Sequence, residues 1–447
     1  TCVTGEPGIG KTRLLEEMAA RAARSGAVGL WGGASAVEGM PPYLPFLEAL
    51  GQYIQVTAPD RLRDQVGPAA SILVTILPEL ALRLGEFPDG YPLPAEQARL
   101  RLFEAVGGFL TSIAASAPGG LLLVLDDLQW ADAASLDLLC HVARRRMGAR
   151  VLILGAYREG EVGQNPALER ALAELNRLRA LTTLTLAPLR AEEIAALAAD
   201  YLGGPVASVV GQALHTHSEG NPFFAEELLR GWLEAGVLTS HRDRPHVQPC
   251  WTLTMPLESD LPPSIVGAIR QRLARLTPAV VDHLRVAAII GRTFATALLA
   301  EVEGREAEEV EEELLAAERT HLIRGNRAGV FTFGHDKVRE CLCAEVSSAR
   351  RRRLHGQIGL ALEARSTQES THRLAELAIH FARSDDRARG VDYSRRAAEQ
   401  ALHAYAPREA VAHYQAALDL LEPDDERRGD LLLALGEAAL PAAAAEQ

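Results

Sequence analysis

Long apolar runs are missing from this 447-residue chain. None approaches the ~18 residues a membrane-spanning helix needs, and the longest, LLLVL and VLILGA, have the length of buried strands. A surplus of positive charge is missing as well. The formal net charge of −13 argues against a broad electrostatic footprint for nucleic acid or anionic lipid, and leaves only local basic faces to weigh. Cysteines are few, five in all at 2, 140, 250, 341 and 343, an odd number without ligand-like spacing. They read as small apolar packing residues in a reducing compartment, so the expected location is cytoplasmic, with no membrane partner. An initiator methionine is lacking too, and only the stub of a strand precedes the first motif. The first strand is therefore expected to be truncated, with more chain before it.

What is present is ordinary globular material, 48% hydrophobic and 23% charged, in a chain long enough for two to four domains. The opening stretch TCVTGEPGIGKTRLLEEM holds a full G-x-x-x-x-G-K-[ST] match from Gly5 to Thr12. Glycines at these spacings let successive backbone N–H groups turn inward around phosphate oxygens, with no Cβ in the way. Lys11 adds a point charge for the β- and γ-phosphates, and the Thr12 hydroxyl suits a Mg²⁺ shell. The expected nucleotide-contacting set is Gly5, Glu6, Pro7, Gly8, Ile9, Gly10, Lys11, Thr12 and Arg13. Its context agrees: Cys2–Thr4 is strand-like, and the following helix puts Leu14, Leu15, Met18 and Ala22 inward and stops near Gly26. A helix N-terminus there aims its dipole at the anion.

LLLVLDDLQWAD is the second signal. Five apolar residues, Leu121 to Leu125, suit a central parallel strand buried on both faces, and the carboxylates emerge at its C-terminal end, where open α/β sheets bind ligands. Asp126 is expected to hold Mg²⁺, directly or through water; Asp127 is expected to orient or deprotonate an attacking water. Either Asp132 or Ser135 caps the next helix, which runs through Arg146. VLILGAYRE is another strand, and Arg158 just past it is placed to sense a γ-phosphate, although a lone arginine there is more often simply solvated.

Further along, a fifth strand is expected at 182–187. The stretch 32–100 is the least legible, reading as helices joined by irregular loops. The chain divides into a P-loop domain at 1–188, a helical lid and connector at 189–255, a winged helix at 256–345 and a helical, tetratricopeptide-like region at 346–447 whose array is expected to continue. In the lid, Ile194, Leu197, Ala198 and Tyr201 share a helical face. In the winged helix, Ile265, Ile269 and Leu273 line one helix, Thr277-Pro278 opens another that Gly291 stops, and HLIRGN pairs with GVFTF as a wing. Acidic residues slightly outnumber basic ones over 263–345, which favours packing and sensing over DNA contact. ARRRRLH is the polar face of an amphipathic helix on Leu354, Ile358 and Leu362.

The motifs GEPGIGKTRLLEE, PPYLPFLEAL, LVLDDLQWAD, GAYRE, GNPFFAEELL, LPPSIVGAIRQRLARL and FTFGHDKVRE, in this order, resemble those of the signal-transduction ATPases with numerous domains, a branch of the AAA-like P-loop proteins. The likeness is to the nucleotide-binding part of large ATP-binding LuxR-type transcriptional regulators, and to similar modules beside adenylate/guanylate cyclase and protein-kinase domains in bacterial proteins. The resemblance implies ATP or ADP with Mg²⁺, held by the P-loop domain and the following helical and winged-helix parts, in a switch with slow hydrolysis. It implies that Pro222 lies against the adenine and that His335 reaches toward the β-phosphate. Both residues also have plain structural readings: Asn221-Pro222 is a standard helix start, and His335 ends a hairpin strand.

By the same resemblance, the C-terminal helices take a protein partner or inducer, activation brings self-association, and DNA contact belongs to a domain outside this stretch. The catalytic set is Asp127, Lys11 and Arg158. A turnover ATPase coupled to remodelling is the alternative, and a non-catalytic scaffold is disfavoured by the intact Lys11 and acidic pair.

Overall fold

A computed structural model of the chain describes all residues apart from 36–39, 86, 88–92, 146–149, 235, 242–249, 255–268, 271, 321, 327, 366–372 and 445–447. Ile265 and most of LPPSIVGAIRQRLARL lie outside the described residues, as does Arg146. Two compact units are present: Thr1–Thr4, Thr12–Leu184 and Arg351–Gln447 make one, and Gly5–Lys11 with Thr185–Arg350 the other.

The first unit is built on a five-stranded parallel sheet flanked by helices. Its strands are β1 (Cys2–Gly5), β2 (Val28–Gly33), β3 (Leu121–Asp126), β4 (Val151–Arg158) and β5 (Thr183–Thr185), in the order β2-β3-β4-β1-β5. β3 lies between β2 and β4, with Val124 opposite Trp31 and Leu123 opposite Ile153, and all six of its residues are buried. That is why it carries no polar alternation: covered on both faces, it has no solvent side to mark. β5, at the edge, is exposed at each of its three positions.

Two features of this unit are harder to see in the sequence. VGLWGG, whose apolar pattern is interrupted by glycines, is strand β2. A Cβ on Gly32 would overlap the Pro45 carbonyl, so the glycine serves close approach by the PPYLP segment. The stretch expected to be helices joined by irregular loops holds helices Leu44–Val56, Pro59–Val66, Ala70–Leu73 and Glu79–Leu84, leading to a long helix Ala95–Ala115. Phe46, Leu50, Ile54, Leu62, Leu73 and Phe109 bury into the same core as Leu123.

The C-terminal helices Leu374–Ala382, Arg387–His403, Pro407–Leu420 and Arg427–Ala444 pack each on the last. Ala398, Ala401, Ala406, Ala410 and Tyr414 join the core that contains Leu123 and Phe46. Small side chains let these helix axes come close. A Cβ on Gly390 would already press on Leu420 and on the backbone of Ala382.

In the second unit, helices Ala191–Leu202, Ser208–Ser218 and Pro222–Glu234 enclose a core of Ile194, Ala198, Leu214, Leu228 and Trp232, beside a hairpin of β6 (Leu238–His241) and β7 (Cys250–Leu253). Tyr201, on the same helical face as Ile194 and Ala198, is 38% exposed. Thr277 caps helix Pro278–Ile290, which ends at Gly291. The hairpin of β9 (Ile323–Gly325) and β10 (Val330–Phe333) is present, and β8 (Thr293–Ala295) pairs with β10 on its other side. Among the described residues no helix is long and apolar enough to cross a membrane.

Candidate functional site

The site is best described as two constellations, one in each unit. In the second unit, the loop Gly5–Lys11 turns on glycines in the left-handed region, Gly8 at φ 81° and Gly10 at φ 102°. Such angles are cheap for glycine alone and leave the backbone N–H groups unshielded by side chains. Ile9 is buried and Glu6 exposed. Lys11 is buried too, its Nζ donating to the carbonyls of Gly5 at 3.0 Å and Glu6 at 2.9 Å. The ammonium is thus held over its own loop.

That loop is gripped from the far end of the unit's sequence. Asn221 Nδ2 donates to the Pro7 carbonyl at 3.0 Å, and the Phe223 N–H donates to the Gly8 carbonyl at 3.3 Å. A Cβ on Gly8 would come within 3.0 Å of both Asn221 Oδ1 and Phe223 Cβ. Asn221 works at both ends of its amide, since Oδ1 also accepts from the Phe224 N–H at 3.4 Å at the start of helix Pro222–Glu234. Pro222 occupies the first position of that helix. The Phe223 ring stacks on His335 with centroids 4.0 Å apart and planes 22° from parallel. His335 Nδ1 accepts from the Lys337 N–H at 3.1 Å and so caps helix Asp336–Glu345.

In the first unit, the Thr12 hydroxyl donates to Asp126 Oδ2 at 2.8 Å, joining the start of helix Lys11–Arg24 to the end of β3. The other oxygen of Asp126 accepts from the Asp127 N–H at 2.9 Å. Asp127 sits in the left-handed region at φ 55°, a conformation that a carboxylate residue tolerates better than most and that turns its side chain sharply off the strand direction. Gln129 Nε2 donates to Asp127 Oδ1 at 2.9 Å, while Gln129 Oε1 accepts from the Arg158 N–H at 3.1 Å. One buried amide therefore ties the end of β3 to the end of β4.

Arg158 is not a solvated arginine: its side chain is 5% exposed. Its guanidinium lies over the Trp130 ring at 4.5 Å, pairs with Glu161 at 3.0 Å and comes within 4.0 Å of Asp127. Asp132, one of the two candidates, is the cap of helix Ala133–Arg144: it accepts from the Ser135 N–H at 2.8 Å. Arg13, expected near phosphate, is turned along its own helix and pairs with Glu17 at 2.8 Å.

Thr12 and Asp126 together present hard oxygen donors of the kind Mg²⁺ prefers, and glycines at 5, 8 and 10 suit backbone N–H contact with phosphate. Among the described residues no group of three or more His, Cys, Asp or Glu could hold a metal. Mg²⁺ bound with a nucleotide keeps several waters and takes one or two protein oxygens plus phosphate. The residues present fit a Mg²⁺–nucleotide.

Two contributors escaped sequence reading. Gln129 lies inside the quoted LDDLQWAD motif, but an amide between two acidic positions has no spacing signature. Asn221 reads as a helix cap; its second bond, to the loop, joins residues 214 positions apart and leaves no local trace.

Residues 1–154 match the family model described as the AAA ATPase domain. No curated protein matches the chain. Among solved structures, a Signal Transduction ATPase with Numerous Domains (STAND) protein with a tetratricopeptide repeat sensor from Pyrococcus horikoshii is 15% identical at a TM-score of 0.49, over 98% of this chain and 58% of that one. The chain thus spans under two thirds of that protein's length. A Walker-type ATPase of Pyrococcus abyssi is 13% identical, TM-score 0.35, over 76% of this chain and 90% of its own. A RuvB mutant of Thermotoga maritima is 16% identical, TM-score 0.22, over 64% and 95%. At these scores the three are resemblances only.

Proposed function

We propose that this chain, whose first 154 residues carry an AAA-type ATPase domain, is the ATP- and ADP-binding switch of a larger, STAND-type, LuxR-like regulator and hydrolyses ATP slowly. The observation that carries the reading is the Thr12–Asp126 hydrogen bond at 2.8 Å, made by the last residue of a complete phosphate-loop motif. It brings the hydroxyl after the lysine to a carboxylate at the end of a buried parallel strand, the pair that holds Mg²⁺ in P-loop nucleoside triphosphatases. Gly5 to Gly10 would receive the phosphates on backbone N–H groups, Lys11 would neutralise them, and Thr12 and Asp126 would hold Mg²⁺. When bound, the metal would supply charge neutralisation at the phosphates. Asp127, held by Gln129, would orient water, and buried Arg158 would add positive charge beside it.

The switch reading rests on what grips the loop. Asn221 and Phe223 touch the carbonyls of Pro7 and Gly8, and Phe223 stacks on His335. Phosphate entering this loop changes the positions that these residues read, so occupancy would reach helices Pro222–Glu234 and Asp336–Glu345. In the same reading, residues 256–345 are a winged helix used for packing and sensing, and the C-terminal helices receive an inducer or protein partner. Arg158 gives the turnover alternative its one specific support, because a buried cis arginine beside Asp127 could stabilise charge developing in hydrolysis.

The test starts from the composition: of the chain's 46 lysines and arginines only Lys11 and Lys337 are lysine. Amine-reactive labelling mapped by mass spectrometry should show Lys11, and not Lys337, protected by Mg²⁺ with ADP or ATP. Steady-state hydrolysis then separates the readings. Turnover of a few per hour with retained ADP supports the switch, and rapid multiple turnover supports the motor. Ready and equal labelling of Lys11 with and without nucleotide, together with no thermal shift on adding Mg²⁺ with ADP or ATP, would sink both.

A further inference from the structure

Away from the phosphate loop, the unit built on the sheet carries two hollows of about 1090 and 600 Å³ on either side of one wall. Leu100 of helix Ala95–Ala115 and His141 and Arg144 of helix Ala133–Arg144 line both. The volumes are in or just above the range of small-molecule sites. The larger hollow has an apolar side on Ile72, Ala98 and Ala105 and a rim carrying Arg101 and Arg145.

The charge here runs against that of the chain. Six arginines against four carboxylates face the two hollows, in a protein of net charge −13. Several of these guanidinium groups are held in place. Arg145 donates to the Glu104 carbonyl at 3.1 Å, and Arg144 donates to Glu174 at 2.8 Å. Arg99 and Arg408 share the single carboxylate of Asp137, at 3.3 and 3.6 Å. Arg101 makes no hydrogen bond or ion pair among the described residues. Six arginines against four carboxylates leave a local excess of positive charge, with Arg101 unengaged among the described residues, and a guanidinium fork favours carboxylate and phosphate oxygens.

The larger hollow is also closed by an unusual residue. Tyr405 lies at φ 56°, a left-handed angle costly for an aromatic residue, and its carbonyl accepts from the Tyr43 hydroxyl at 3.4 Å. Tyr405 thus places an aromatic residue among the lining of the larger hollow.

We propose that these hollows form a binding site for a small organic anion with an apolar body, its charged group on Arg101 and Arg145 and its body against Leu100, Ile72 and Tyr405. The site is separate from the phosphate loop and does not depend on the nucleotide reading. Calorimetry in a Lys11→Ala background, which disables that loop in every sample, tests it with octyl phosphate as the probe and octanol, octylamine and inorganic phosphate as comparators. Octyl phosphate should bind saturably, and each comparator about tenfold or more weaker. Arg101→Ala and Leu100→Glu, both at exposed positions that leave the fold intact, should each weaken octyl phosphate about tenfold. Octanol binding as tightly would show mere greasiness, and inorganic phosphate binding as tightly would show mere charge. Either result overturns the proposal, as does the absence of saturable binding or a change of under twofold in both variants.

Discussion

Phe223 and His335 stack ring on ring at 4.0 Å, although 112 positions separate them, and each is anchored elsewhere: Phe223 by its N–H on Gly8, His335 by its Nδ1 on the Lys337 N–H. The histidine is thus a helix cap and a stacking partner at once. His335→Ala removes both, and should destabilise the unit by about 1–2 kcal/mol in urea unfolding. His335→Asn keeps a cap acceptor and should recover roughly half of that. Equal losses in the two variants would show that capping contributes nothing.

Asn221 separates holding the loop from starting the helix. Asn221→Ser retains an oxygen to cap helix Pro222–Glu234 but has no amide to donate to Pro7. We expect Asn221→Ser to unfold only slightly below the wild-type temperature, by the loss of one partly buried hydrogen bond, while binding ADP roughly tenfold more weakly. Asn221→Ala should lose both. Titration calorimetry beside a melting curve checks the pair, and unchanged ADP affinity in the serine variant would refute the grip.

Gln129 should matter to hydrolysis and not to binding. Without its Nε2–H, Asp127 loses the donor at 2.9 Å that fixes its carboxylate. Gln129→Ala is expected to lower kcat roughly tenfold with nucleotide affinity unchanged. Gln129→Glu should do worse, because it puts like charges against each other. A loss of affinity with unchanged kcat would place Gln129 in the binding machinery instead.

Glu409 makes the first unit sensitive to pH. Its carboxylate accepts from the Ala134 N–H at 3.1 Å, next to Asp132. Burial first, and the neighbouring Asp132 charge second, push its pKa up to about 7. Burial likewise raises Asp132, against the hydrogen bonds it accepts from Ser135 and Tyr43. A carboxyl whose folded pKa lies above its unfolded value binds protons more tightly when folded. Its contribution is therefore most favourable below about pH 4.5 and is lost as pH rises toward 7. Melting curves from pH 5.5 to 8 should show stability falling up to about pH 7 and levelling off above it, and Glu409→Gln should flatten the fall. A variant with the wild-type slope would place the titration elsewhere.

What could be read along the chain was whatever depends on near neighbours in sequence. The loop Gly5–Thr12 is legible because a phosphate nest is made by consecutive N–H groups. β3 is legible because burial on both faces removes its polar alternation, and Asp126 and Asp127 follow it directly. Thr277 is legible as a helix start for the same reason, since a cap bonds two or three residues on, and the next cap could be narrowed to Asp132 or Ser135. β2 was not legible, because Gly32 answers to a carbonyl thirteen residues away that no local pattern announces.

The sequence by itself determined the nucleotide motif, the parallel sheet that carries it and the helical character of the C-terminal quarter. Only the tertiary structure decided that Asn221 and Phe223 hold the loop, that Gln129 joins Asp127 to Arg158, and that Ala398, Ala401 and Ala410 share a core with Leu123. An alanine-rich helical face has the same period whichever surface it covers. A side-chain amide has the same composition whether it caps a helix or reaches across the fold, so the partner is set by packing alone.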